Sequence, residues 1–505
     1  MKSANLTLDP AFSMGEVDRR LYGSFLEHMG RAVYTGIYEP GHPSANHIGF
    51  RQDVLELVKE LGVPIVRYPG GNFVSNYDWE DGIGPEDGRP TRLDLAWHSV
   101  EPNEVGVGEF LAWTRLAGAE PMLAVNLGTR GVDAACNLVE YSNYPEGTYW
   151  SDLRASHGAG EPYGVRVWCL GNEMDAPWQL GRKTAEEYGR LATETAKAMR
   201  RIDPSIELVA CGSSNSEMPT FGAWEATVLE HAYEQVDYIS LHHYYEDVDG
   251  DLDSFLASAL GMDDFINSVV STCDYVKAKI SSRKQLHLAF DEWNVRARTR
   301  FKKGPQWPWS KAPRLSEDVY SLADALVVGS LLITLLKHAD RIKIACQAQL
   351  VNVLAPIRTE PEGPAWRQTI FYPFAHASRF GRGTVLRVEP ESPLYETATF
   401  GSTPLLEATA TLDEDREALT IFAVNRDRQD PLALSGDLRG LSGYGVDQHL
   451  VLTDEEASAS NTIENPDRVR PRSQLGAKVA DDCLRVVLPP LSWNVIHLRR
   501  EKGTA

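Results

Sequence analysis

Two acidic side chains occupy positions from which this chain could do covalent chemistry. Glu173 follows the apolar run 165–170 in Gly171-Asn172-Glu173-Met174-Asp175, and Glu292 follows the apolar run 286–290 in Asp291-Glu292-Trp293-Asn294. Each has an amide or aromatic neighbour suited to sugar contact. Glycoside hydrolysis needs such a pair: one carboxyl protonates the leaving oxygen while the other stabilises or attacks the anomeric carbon. A carboxyl separation of roughly 5–5.5 Å gives retention and roughly 6.5–9.5 Å gives inversion. Taken singly, either residue also reads as a helix-start acid or a salt-bridge partner. Together, at two strand ends, they form a candidate acid–nucleophile pair.

For the two to meet, the chain between them must close on itself. Short apolar runs at 21–27, 63–70, 121–127, 165–170, 206–211, 236–241, 286–290 and 342–347 alternate with longer amphipathic stretches. Each run has the length of a strand buried on both faces, as in a parallel sheet covered by helices. Thr184 and Glu187 have capping-box spacing, and Asp203-Pro204 ends the helix they start. Segments 108–117, 223–233 and 318–338 also have helical character. The alternation predicts an α/β fold, a (β/α)8 TIM barrel over residues 17–375, with a doubly wound open sheet as the competitor. No run is followed by a complete G-x-G-x-x-G; Gly106-Val-Gly108 and Gly82-Ile-Gly84 lack the third glycine. In such barrels catalytic groups lie at the C-terminal ends of the strands, which is where Glu173 and Glu292 fall on runs four and seven. Beyond about residue 380, alternating segments at 405–411, 418–425 and 484–488 are separated by Asp, Asn, Gly and Pro clusters. That texture predicts a C-terminal antiparallel β-sandwich, jelly-roll-like, formed by 376–505 with residues 1–16 added to it.

The whole chain narrows the partners. Its 505 residues carry a formal net charge of −21, which disfavours nucleic acid and anionic lipid and suits a soluble enzyme acting on a neutral substrate. The six cysteines show no C-x-x-C spacing and read as thiols in a reducing compartment. The N-terminus lacks an apolar signal region, and the apolar stretch 325–336 is too short to span a bilayer, so a cytoplasmic protein is expected. No cofactor or metal is expected. His242 and His243 are successive strand residues whose rings point to opposite faces, and neither H-E-x-x-H nor a sequence cluster of Asp and His supports an ion. G-x-S-x-G is absent, which disfavours a serine hydrolase.

Longer motifs add a resemblance. They are Gly23-Ser-Phe-Leu-Glu-His-Met-Gly30, Arg31-Ala-Val-Tyr-Thr-Gly-Ile-Tyr-Glu-Pro40, Arg67-Tyr-Pro-Gly-Gly-Asn-Phe73, Trp168-Cys-Leu-Gly-Asn-Glu173, Asp237-Tyr-Ile-Ser-Leu-His-His-Tyr244, Asp291-Glu-Trp-Asn-Val295 and Gln349-Leu-Val-Asn352. In this order and spacing the chain resembles the α-L-arabinofuranosidases of glycoside hydrolase family 51 over nearly its whole length. The resemblance implies that Glu173 is the general acid/base and Glu292 the nucleophile of a retaining reaction through a covalent arabinosyl–enzyme ester. Arg67, placed in the loop after the second strand, and the Tyr244 hydroxyl could supply donors that keep Glu292 ionised. Asn172 matches the residue that binds the hydroxyl beside the reacting carbon. Glu27, Asn72 and Gln349 match positions holding the other sugar oxygens, although each could instead cap a loop or satisfy a core group. Trp97 matches an aromatic lining the sugar site, or is a core ring. His242 falls near the site with its role open. The implied substrate is an arabinofuranosyl oligosaccharide from arabinoxylan or arabinan, cleaved one terminal residue at a time, and the implied assembly is a homo-oligomer, commonly a hexamer.

One departure stands out. The family usually has an aromatic after its nucleophile motif, where this chain has Arg296, followed by Arg298 and Arg300. Leaving-group preference is therefore open, and a basic cluster is also the ordinary composition of a solvated loop. Two rival readings remain: the same machinery acting as a β-xylosidase or endo-β-glucanase, and a catalytically silent sugar-binding protein.

Overall fold

The computed structural model describes residues 1–296 and 308–501. Eight parallel strands close into a barrel. In chain order they are β1 (Gly23–Phe25), β2 (Ile65–Tyr68), β3 (Glu120–Val125), β4 (Val167–Leu170), β5 (Glu207–Ala210), β6 (Tyr238–Tyr245), β7 (His287–Val295) and β8 (Ile342–Ala348), with β8 pairing back to β1. Every one lies on an apolar run of the sequence, and the open-sheet alternative is excluded by the closure.

Strand β4 shows why the runs are continuous. Val167 and Cys169 point into the barrel with Ile65, Met122 and Ile344, while Trp168 and Leu170 point outward to the helices. Both faces are buried, so no polar alternation is possible. The helix Ala185–Ile202 closes one side of this layer. Thr184 accepts from the Glu187 N–H while Glu187 reaches back to Thr184, and the helix buries Tyr188, Ala192, Ala196 and Met199 along one stripe.

Two strands run further than their apolar content. Strand β6 continues to Tyr245 and β7 to Val295, with register shifts between Ser240 and His242 and between Phe290 and Trp293. The polar residues His242, Tyr244, Glu292 and Asn294 are thus on strand, not in loops. The bulges turn them into the barrel mouth, where neighbouring polar groups satisfy them. Arg67 is likewise inside β2, not in the loop after it.

The second layer system contains two sheets. One orders Glu389–Glu391, Lys2–Thr7, Leu432–Asp437, Cys483–Leu488 and Lys478–Ala480; the other orders Ser13–Glu16, Thr384–Leu386, Leu406–Leu412, Ala418–Asn425, Ser492–Arg500, Tyr444–Leu452 and Arg472–Ser473. Leu6, Leu406, Ile421, Leu434 and Leu484 fill the space between them. Pairing within these sheets is antiparallel except where Lys2–Thr7 lies parallel to Leu432–Asp437, because that strand arrives from the chain start instead of through a hairpin. The central strands of the seven-stranded sheet, Leu406–Leu412, Ala418–Asn425 and most of Ser492–Arg500, are buried on both faces. Its Phe422, Val424, Trp493 and Val495 join the barrel core against the helix Leu322–Lys337. That helix is apolar nearly all round for this reason. Its start is set by Ser321, whose side chain caps the Asp324 N–H, so residues 318–320 remain outside it. Among the described residues no helix is long and apolar enough to cross a membrane.

Candidate active site

The C-terminal mouth of the barrel gathers the predicted residues. Glu173 stands just past β4, after Gly171 at φ 89°, and itself takes φ 45°, a left-handed conformation that non-glycine residues adopt rarely. Its Oε2 accepts from the Trp178 indole N–H at 2.9 Å, and its Oε1 lies 3.1 Å from His242 Nδ1. Across the mouth, Glu292 Oε2 accepts from Arg67 at 2.9 Å and Oε1 from the Tyr244 hydroxyl at 2.8 Å. One oxygen of each glutamate and one ring nitrogen of His242 all lie within 4.8 Å of one another. The carboxylates face one another.

A buried charge cluster fixes this geometry from beneath. Arg67 also donates to Asn172 Oδ1 at 2.6 Å, pairs through Nε with Asp291 Oδ2 at 3.0 Å, and lies 4.7 Å from the centre of the Phe25 ring. Burial opposes its charge, but Asp291, Cys169 and Glu292 hold its pKa well above the usual value. Burial also works against a charged Asp291, yet Arg67 and His242 bring that carboxyl down to about 2. His242 behaves as a cation: burial lowers its pKa, but Glu292, Asp291 and Glu173 lift it to about 10. Arg67, Asn172 and His242 are buried beneath the mouth, next to the two glutamates. Glu27, Asn72, Trp97, Glu173, Tyr244, Glu292 and Gln349 form its lining.

The far side of the mouth is built around Glu27. Its Oε1 accepts from the Phe73 N–H and the Trp97 indole, each at 2.9 Å, and Gln349 Nε2 donates to Oε2 at 3.3 Å. Gln349 Oε1 in turn accepts the Glu27 N–H at 3.0 Å. Burial, then the charge of Glu292, outweighs these donors and raises the Glu27 carboxyl to about 8. The Pro69-Gly70-Gly71 turn makes room for it: a Cβ on Gly71 would lie 2.5 Å from Glu27 Oε2. Asn72 begins the next turn, 3.4 Å from Asn172 Nδ2. Trp97 is carried by a small hairpin of Arg92–Asp94 and Ser99–Glu101, in which Asp94 accepts from Ala96 N and Ser99 Oγ.

The sequence reading did not single out several residues of this site. Asp291 was visible beside Glu292, but nothing in one sequence says that it anchors Arg67. Trp178 lies in an irregular loop without periodicity. A cluster of two glutamates and a histidine that no sequence motif marks exists in space, because Glu173, His242 and Glu292 come from three separate β/α units. Its spacing resembles that of a metal centre, but its chemistry does not fit one. Each His242 nitrogen already faces a carboxylate, Nδ1 that of Glu173 at 3.1 Å and Nε2 that of Asp291 at 3.5 Å. Glu292 has a donor on each oxygen already.

Arg296 leaves the end of β7 with Nε 2.6 Å from Glu246 Oε1 and its guanidinium 4.9 Å from the centre of the Tyr244 ring. Arg298 and Arg300 lie outside the described residues.

A closed parallel barrel with two glutamates facing across the ends of β4 and β7 has the architecture of a glycoside hydrolase. Sequence comparison assigns it further. The profile of the α-L-arabinofuranosidase C-terminal domain matches residues 291–492, and that of the α-L-arabinofuranosidase 1 domain matches residues 57–255. An intracellular exo-α-(1→5)-L-arabinofuranosidase of Halalkalibacterium halodurans is 56% identical over 499 residues, 99% of each chain. One of the same description from Bacillus subtilis is 56% identical over 501 residues, covering 99% of this chain and 100% of its own. The structure of a family 51 α-L-arabinofuranosidase from Bifidobacterium longum superposes with a TM-score of 0.95 at 47% identity, covering 99% of this chain and 100% of that one. The chain belongs to the α-L-arabinofuranosidases of glycoside hydrolase family 51, and its activity is that of an arabinofuranosidase.

Proposed function

We propose that this enzyme removes terminal non-reducing α-L-arabinofuranosyl residues from arabinan- or arabinoxylan-derived oligosaccharides by double displacement, with retained configuration. The observation that carries the reading is the facing pair: oxygens of Glu173 and Glu292 within 4.8 Å, each in a different set of donors. That close approach supports retention, for which the carboxyl groups stand roughly 5–5.5 Å apart.

In this scheme Glu292, held by hydrogen bonds from Arg67 and Tyr244, attacks the anomeric carbon to form an arabinosyl ester. The departing oxygen takes a proton from Glu173, whose Oε1 lies 3.1 Å from His242 Nδ1. Water then enters, loses a proton to Glu173 and cleaves the ester, returning both carboxyls to their starting states. Asn172, fixed by Arg67 through its carbonyl oxygen, offers its amide to the hydroxyl beside the reacting carbon. Glu27, Asn72, Gln349 and Trp97 receive the remaining hydroxyls and the ring face. Convergence of Glu27, Gln349 and Trp97 on one end of the pocket supports exo action, since those groups fit one ring.

The relatives named intracellular support a cytoplasmic site of action, with imported oligosaccharides as substrates. We further propose a catalytic unit of residues 17–375, a sandwich unit of 1–16 with 376–505, and a homo-oligomeric, hexameric assembly. Kinetics on nitrophenyl α-L-arabinofuranoside, β-xyloside and β-glucoside test the substrate: the arabinofuranoside is preferred. Equal or better turnover of the glucoside would overturn the assignment.

A further inference from the structure

The pocket is larger than one sugar ring requires. Its volume is about 1260 Å³, above the roughly 300–1,000 Å³ of ordinary small-ligand sites. Its lining extends beyond the carboxylates to Glu246, Asp251 and Phe255 in the segment after β6, and includes Ala398, Thr399 and Phe400. Those last three residues come from the segment between the sandwich strands Glu389–Glu391 and Leu406–Leu412. They form the tip of a hairpin, Leu394–Thr397 with Gly401–Pro404.

Several contacts seat this hairpin on the barrel loop. The Tyr395 hydroxyl donates to the Asp253 carbonyl at 3.1 Å and the Thr399 N–H donates to Ser254 Oγ at 3.1 Å. Phe400 lies beside Gly261, within ordinary contact distance of the space a Cβ would take there. The hairpin holds its ring, half-buried, on the pocket wall, while Ala398 and Thr399 stay exposed. Nearer the carboxylates, the Arg296–Glu246 pair covers the Tyr244 ring. Polar groups at the near end and an aromatic at the far end are what the hydroxyls and the C–H faces of successive sugars need.

We propose that the outer pocket is an acceptor channel reaching from the barrel mouth to this hairpin, in which Arg296 and Glu246 hold the sugar next to the scissile bond and the hairpin tip holds a sugar further along. The acidic side chains Glu217, Asp249 and Asp251 on the same wall disfavour a uronate, so the occupant is an uncharged oligosaccharide. This rests on the arabinofuranosidase reading above and extends it to the leaving group.

The test compares kcat/KM on nitrophenyl α-L-arabinofuranoside with that on α-1,5-linked arabino-oligosaccharides of two to five residues. For Phe400→Ala and, separately, the channel-narrowing Ala398→Trp, the ratio of longest to shortest oligosaccharide falls roughly tenfold, through KM. For Arg296→Ala the loss falls on every oligosaccharide relative to the aryl glycoside. Oligosaccharide ratios unchanged in both folded hairpin variants, or equal losses on all substrates, would overturn the channel. A wild-type enzyme inert on the aryl arabinofuranoside would instead overturn the underlying function.

Discussion

At the scale of single residues, the account divides labour between two glutamates with different surroundings. Replacing Glu173 by Ala removes the acid that protonates the leaving oxygen, so kcat/KM on oligosaccharides falls roughly 10²–10⁴-fold. The fall is smaller with an aryl leaving group that needs no proton, and added azide partly restores turnover. Replacing Glu292 by Ala leaves almost no activity on any substrate, since no leaving group substitutes for the nucleophile. Glu27 makes a separate prediction. With its carboxyl raised to about 8, it is protonated at neutral pH and ionises above that point, placing a second negative charge near Glu292. KM therefore rises as pH passes about 8, and Glu27→Gln, permanently neutral, flattens that rise in steady-state kinetics. Glu173 and Glu292 were readable in the sequence because they follow apolar runs, whereas Glu27 was marked only by the family resemblance. Asp291 and Trp178 were not readable, because their importance lies in partners contributed by other strands and loops.

At the scale of elements, apolar runs located all eight barrel strands but not where two of them end. The outer residues of β6 and β7 are polar because they face a lined pocket, and a hydrophobicity criterion stops at the first of them. For the same reason the bulges that bring His242 and Glu292 inward left no signal. The hairpin that holds Trp97 and the hairpin that ends the pocket escaped detection too: each is short, and each is stabilised by contacts with segments remote in sequence. Helix Leu322–Lys337 was legible as a buried helix, though not the reason for its burial. Its Gly329 is where the Trp493 ring seats, and a Cβ there would lie 2.6 Å from the ring. Gly329→Ala, which in an isolated helix would be stabilising, here costs about 1–3 kcal/mol through overpacking, measured by denaturant unfolding.

At the scale of the whole molecule, the buried charges that arrange the site also set how stability varies with pH. Glu27 moves from 4.5 to about 8 on folding and His242 from 6.5 to about 10, both upward. The folded state therefore binds protons more tightly. The contribution of Glu27 is complete below about 4.5 and lost as pH rises to about 8. That of His242 is complete below about 6.5 and lost as pH rises through about 10. Asp291 runs the other way, its contribution present above 3.8 and lost as pH falls toward about 2. Melting temperature measured against pH declines on the alkaline side in the wild type, and the decline weakens in His242→Gln. Composition and net charge excluded partners at this scale but placed none of these groups. The parallel seating of Lys2–Thr7 on Leu432–Asp437 was equally hidden, since pairing of a chain start with a strand over four hundred residues away leaves no local mark.

The central claim is that Glu292 becomes covalently attached to the sugar while Glu173 manages the proton. In Glu173→Ala, supplied with an aryl arabinofuranoside, the first step needs no acid and the second lacks its base, so the ester accumulates. Peptide mass spectrometry of the quenched enzyme should then find one arabinosyl unit on the peptide containing Glu292. A label on any other carboxylate, or no label together with an inverted product, would contradict the account.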